Sequence, residues 1–128
     1  MGKGLSITSW NVRSLLNKID SIRYEVAISK PDILNISESW LHINIDDKEI
    51  SINGYIITRL DRSTYADGTI KKGGGLCKYI KQGLVSENIE TMQLCDNDIE
   101  MMCNKVKLPY TRDIYILKVY RPACRKCG

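Results

Sequence analysis

The hydrophobic period changes twice between Leu5 and Ser37, and this change limits the architecture more than any other feature of the chain. Leu5-Ser6-Ile7-Thr8-Ser9-Trp10 alternates apolar and polar residues around a β-branched centre, as a half-covered strand does. After Asn11 the apolar positions become Leu15, Ile19, Ile22 and Val26, which lie on one face of a helix. Ser14 is available as its N-cap. Pro31 ends it near Lys30, because proline disfavours helical geometry in the preceding residue. Ile33-Leu34-Asn35-Ile36 is a second short strand, running out to Glu38. Strand, helix, strand at this spacing is a βαβ unit with parallel strands and a right-handed crossover. Parallel strands finish at the same edge, so Asn11 and Glu38 are expected side by side.

From residue 54 the pattern turns to consecutive β segments: Tyr55 to Arg59, Leu76 to Ile80, Ile99 to Leu108 and Ile114 to Tyr120. Met102, Val106 and Leu108 share one face of the third segment and Ile99, Met101 and Cys103 the other, which suggests burial on both sides. A parallel unit followed by such segments predicts an α/β fold with a mixed (α+β) sheet and a crossover helix. The loops at 41–53 and 60–72 are long enough to overhang a site. At 128 residues the chain is one domain's worth, read as 1–122 with a tail at 123–128.

Composition narrows the class without naming a function. A net charge of +4, with Lys and Arg dispersed rather than blocked, fits a phosphate-bearing partner but does not require one. Five cysteines form no framework spacing and no secretory leader precedes them, so reduced thiols in an intracellular setting, the nucleus included, are expected. Cys124-Arg125-Lys126-Cys127 is a single CxxC far in sequence from the one histidine, His42, and reads as tail rather than zinc site. No apolar run reaches the roughly 18 residues of a membrane span.

Polar groups cluster where the strand-like runs stop. Trp10-Asn11-Val12-Arg13-Ser14-Leu15 is followed by Pro31 to Leu34, Glu38-Ser39-Trp40-Leu41, Gly54-Tyr55, Arg59-Leu60-Asp61-Arg62, Gly73-Gly74-Gly75 and Tyr120-Arg121-Pro122. In this order the patches resemble the endonuclease/exonuclease/phosphatase superfamily, most of all the endonuclease domains of non-LTR retrotransposons. The resemblance implies that superfamily's α/β sandwich and a metal-dependent phosphodiester hydrolase acting on nucleic acid, with DNA as partner. It implies Glu38 and Asn11 as ligands of Mg²⁺ (or Mn²⁺), Tyr120 beside the scissile phosphate, and Arg59, Asp61, Arg62 and Arg121 toward nucleic acid. A hard cation prefers oxygen ligands and keeps several waters, which one carboxylate and one amide oxygen leave room for.

Each residue also has an ordinary reading. A strand-end glutamate is usually a solvated side chain. Asn11 can cap the helix, Tyr120 can be core with a bonded hydroxyl, and Arg59, Asp61 and Arg62 can be a surface ion-pair cluster. The three glycines lack the Lys-Ser/Thr of a phosphate loop and lead into a strand, so close backbone approach or turn geometry explains them better.

The superfamily's second half brings an Asp-x-Asn that positions water and a late acidic residue paired with histidine. Neither follows Pro122. The resemblance therefore implies the N-terminal half of such a domain, roughly one of its two sheets with the crossover helix, inactive alone and completed by a missing half or a complementing chain, with apolar surface left open. A non-catalytic remnant or binding module of a decayed mobile element, and a phosphatase of the same superfamily, are the alternatives.

Overall fold

The computed structural model describes residues 5–62, 73–89, 94–95, 99–108 and 113–121. Strand β1 (Ile7–Asn11), helix α1 (Leu15–Ser29) and strand β2 (Ile33–Ser37) form the expected βαβ unit. The two strands are parallel, with Ile7 opposite Ile33 and Asn11 opposite Ser37. A 3₁₀ turn (Asp47–Ile50) follows, then β3 (Tyr55–Leu60) and β4 (Leu76–Lys81). Both pairings made by β4 are antiparallel, giving a first sheet in the order β1-β2-β4-β3.

Helix α1 buries Leu15, Ile19, Ile22 and Val26, the four positions the periodicity selects. They pack on Leu34 and Ile36 of β2 and on Cys77 and Tyr79 of β4, with Ile45, Ile50 and Ile52 closing the layer from the loop after β2. Each such side chain contributes roughly 1.5–3 kcal/mol through burial. The 3₁₀ turn is fixed by a capping box: Asp46 accepts from Lys48 N, and Glu49 accepts from Asp46 N at 2.9 Å. Ser14 does occupy the N-cap position, but its side chain caps nothing. Its φ of 85° turns the backbone away, so that its N–H reaches Glu38 O at 3.0 Å.

One expectation needs correction. The α/β class holds, but the strands form two sheets rather than about one. β5 (Val85–Asn88), β6 (Leu94–Cys95), β7 (Glu100–Lys107) and β8 (Ile114–Tyr120) pair among themselves, with β8 along one edge of β7 and β5 and β6 along the other. The physical reason lies in β2 and β4. Both are buried on both faces, and the face away from α1 carries Ile33 and Ile80, which need a cover. Val106 of β7 and Ile116 of β8 supply it, so among the described residues this inner face is packed rather than open. The layer is partly polar: Lys78, fully buried, donates to Ile116 O at 2.8 Å, and Asn35 and Asn104 are buried beside it in the same pair of strands and sheets. β5 is exposed along its whole length and has no alternation to mark it in the sequence.

Pro122, the tail at 123–128 with Cys124 and Cys127, Asp96-Asn97-Asp98 and Lys71-Lys72 lie outside the described residues. Among the described residues no helix is long and apolar enough to cross a membrane.

Candidate active site

Three chain segments are laced together just past the ends of β1 and β2 and before β4. Val12 N donates to Ser37 O, Ser14 N to Glu38 O and Leu15 N to Ser39 O, at 3.1, 3.0 and 2.9 Å. On the other side Ser39 N donates to Gly75 O and Trp40 N to Gly74 O, at 3.1 and 2.9 Å. This lacing forces unusual backbone. Arg13, Ser14, Glu38 and Trp40 have φ of 47°, 85°, 57° and 56°, and Gly73, Gly74 and Gly75 have 78°, 65° and 93°. Left-handed geometry costs an L-residue roughly 1–2 kcal/mol. Such outliers gather where structure holds a functional group in place.

The group held is the Glu38 carboxylate. Its Oε2 accepts from Trp40 Nε1 at 2.6 Å and from Gly74 N at 3.1 Å, and its Oε1 accepts from the Tyr120 hydroxyl. Partial burial pushes this carboxyl up, but the donors Tyr120, Trp40 and Gly74 and the charge of Arg62 outweigh it and hold it below the ordinary carboxylate value. Tyr120 moves the opposite way. Burial and the Glu38 carboxylate raise its hydroxyl, so it stays protonated and donates, while the nearby Asn11 amide opposes the rise. Glu38 and Tyr120, singled out separately in the sequence, thus meet through a hydrogen bond, with the Asn11 side chain near Tyr120.

Oxygen donors of this kind suit a hard divalent cation. Glu38 Oε1 spends one lone pair on Tyr120 and keeps another, and the amide of Asn11, at the end of β1, contains an oxygen of the same hard type. Among the described residues no three His, Cys, Asp or Glu side chains cluster as a closed metal site would require. The donor set therefore fits an ion that retains water and takes part of its shell from a phosphate, as Mg²⁺ does.

The sequence did not reveal the second carboxylate. Glu100 is fully buried at the start of β7 and lies directly opposite Tyr120 of β8 in the register. Both of its oxygens accept from Gly75 N, at 3.0 and 2.9 Å, and Arg62 Nε lies 3.4 Å from Oε2. Trp40 and the Gly74 amide were also missed as donors. The available signal was a glutamate on the same face as Met102 and Val106 in a strand that buries that face. The glycines serve close approach, as expected: a Cβ on Gly74 would run into the Arg62 guanidinium, and one on Gly75 would come within 2.5 Å of Ser39 Oγ.

Arg59 and Asp61 do not reach Glu38. All five N–H donors of Arg59 have protein acceptors: Asp61 through Nε and Nη2, Ile45 O and Asp47 through Nη1, and His42 O through Nη2. Arg59 therefore straps the 42–47 segment onto β3. His42 accepts from Asn44 N through Nδ1 and belongs to that strap. Arg62 turns the other way, to Glu100, and Arg121 is exposed immediately after Tyr120.

No family model and no curated protein matches the chain. Solved structures do. The human Nocturnin catalytic domain with bound sulfate aligns over 94% of this chain and 51% of its own, at 16% identity and a TM-score of 0.64. The AP endonuclease LMAP from Leishmania major aligns over 91% and 40%, at 20% identity and 0.66. The endonuclease domain of TRAS1, a telomere-specific non-LTR retrotransposon, aligns over 92% and 46%, at 15% identity and 0.58. The chain has the fold they share, that of the endonuclease/exonuclease/phosphatase proteins, and spans about half their length.

Proposed function

We propose that this chain, with the fold of the endonuclease/exonuclease/phosphatase proteins, carries the metal-binding side of a phosphodiester hydrolase directed at nucleic acid, DNA in the first instance. The observation that carries the reading is the Glu38 carboxylate, oriented by Trp40, Gly74 and Tyr120 with Asn11 alongside. A bound Mg²⁺ would supply Lewis acidity to a phosphoryl oxygen and to the leaving oxygen.

The chain's own residues have separable tasks in this reading. Glu38 and Asn11 hold the ion. Tyr120 keeps its proton and donates it in hydrogen bonds, to Glu38 here and to a phosphate oxygen when one is present. Arg121, exposed immediately after Tyr120, would pair with a neighbouring phosphate. Arg62 acts mainly through Glu100. Arg59 contributes by holding the 42–47 segment rather than by touching nucleic acid.

Activating water and protonating the leaving group would fall to residues other than those that meet at Glu38. General acid–base assistance of this kind is worth on the order of 10²–10⁴-fold. The endonuclease of retrotransposon type is the specific form we favour, supported by the order of the sequence patches and by the TRAS1 fold likeness.

The test is fluorescence anisotropy of a labelled oligonucleotide with and without Mg²⁺, for wild type and Glu38→Gln. A Mg²⁺-dependent gain in affinity that Glu38→Gln abolishes supports the reading. A gain that survives the substitution overturns it.

A further inference from the structure

We infer that Glu100 is a positioning residue for Glu38, acting across the two sheets through the Gly74-Gly75 backbone; this rests on the reading of Glu38 as a metal ligand. The two carboxylates come from different sheets and do not bond each other. Successive amides of one loop join them, Gly74 N to Glu38 Oε2 at 3.1 Å and Gly75 N to Glu100 at 3.0 and 2.9 Å. Successive N–H groups in left-handed geometry form a concavity for anions, and here it holds two.

The carbonyls of the same glycines are taken by Trp40 N and Ser39 N, so the loop can shift only if Glu38's own segment shifts with it. Arg62 bonds Glu100 from the far side and lies across Gly74, where any Cβ would collide with it. Glu100 also stands opposite Tyr120 in the β7–β8 register, so its strand end sets the height of the hydroxyl that reaches Glu38 Oε1. A fully buried carboxylate at this point costs stability unless it is bonded. Its bonds go to the elements that aim Glu38.

The Trp40 indole N–H, bonded to Glu38 at 2.6 Å, reports that aim without any metal. The full chain labelled with ¹⁵N is compared as wild type, Glu100→Gln and Glu100→Ala, with circular dichroism as the check of folding. Glu100→Gln keeps an acceptor for Gly75 N but loses the charge facing Arg62. Glu100→Ala loses both. Expected is an upfield move of the Trp40 indole and Gly74 amide protons, larger in Glu100→Ala. Affinity for Mn²⁺ should weaken about 10-fold, within the 10–100-fold typical of groups that orient metal ligands.

Folded variants with unmoved Trp40 and Gly74 resonances overturn the inference. If neither variant folds, wild type decides: a Gly75 amide that is shifted downfield and slow to exchange supports it, and one at the random-coil position in fast exchange overturns it. If the resonances move but wild type binds no Mn²⁺, the positioning stands and the metal reading falls.

Discussion

The Tyr120 hydroxyl at the end of the second sheet donates to Oε1 of Glu38 at the end of the first, 82 residues earlier in the chain. This bond ties the two sheets at their common edge. The glycine loop, bonded to Glu38 and Glu100, makes a second tie a few ångströms away. The site is therefore also a joint, and substitutions in it should be read for stability as well as for binding.

Tyr120→Phe removes one donor to a carboxylate and keeps the ring. A stability loss of about 1–3 kcal/mol is expected by urea denaturation, as for hydrogen bonds to charged groups. Glu38 should move up toward its ordinary value near 4.5, read by ¹³C NMR titration of the carboxyl. The sign follows from linkage. A carboxyl held low in the folded state contributes stability above its unfolded value and loses it as pH falls through the folded one. The gap between wild type and Tyr120→Phe should therefore shrink below about pH 4.5.

Lys78 makes the opposite prediction in the alkaline range. Burial, with the nearby Lys118 charge, lowers its ammonium from 10.5 to about 8 against a smaller opposing effect of Cys103. Below pH 8 the folded chain carries a buried charge at full cost. Between about 8 and 10.5 the unfolded chain holds more protons, so stability contributed at this position rises with pH. Lys78→Met should be the more stable form at pH 7, by about 3 kcal/mol at most. That advantage should narrow steadily up to pH 10.5 in matched urea melts.

Arg59→Met leaves Asp61, Asp47 and two carbonyls without their shared donor. A loss of about 2–3 kcal/mol is expected, below the cost of a fully buried broken pair because Asp47 is more than half exposed. Hydrogen exchange should quicken in the 42–47 segment. Affinity for an oligonucleotide should fall far less than in Arg121→Ala. An equal fall in both would assign Arg59 to nucleic acid after all.

Much of this was legible in the sequence where local pattern decides structure. The helix face of Leu15, Ile19, Ile22 and Val26, the parallel pair and the common edge of Asn11 and Glu38 follow from period and from the proline. Likeness to a family singled out Tyr120 and Glu38 separately, but their hydrogen bond is seen only in the folded chain, since no local rule joins residues that far apart. What escaped was set by long-range packing. The second sheet forms because β2 and β4 need a cover on their far face, and its exposed β5 leaves no alternation to read. Glu100 sits in the same category: its role depends on Gly75 and Arg62, which reach it only in the folded chain. For Arg59 the resemblance pointed to nucleic acid and the residues themselves to an ion-pair cluster; the Asp61 pair fits the latter, while His42, Ile45 and Asp47 are partners that sequence alone does not bring together.

The most direct test of the central claim is paramagnetic broadening by Mn²⁺ in ¹H–¹⁵N spectra of the full chain. At substoichiometric Mn²⁺, resonances of Asn11, Glu38, Trp40 and Gly74 should fade first, recover on addition of excess Mg²⁺, and stay sharp in Glu38→Gln. Broadening centred elsewhere, or the same broadening at these residues in Glu38→Gln, would contradict a divalent-cation site built on Glu38.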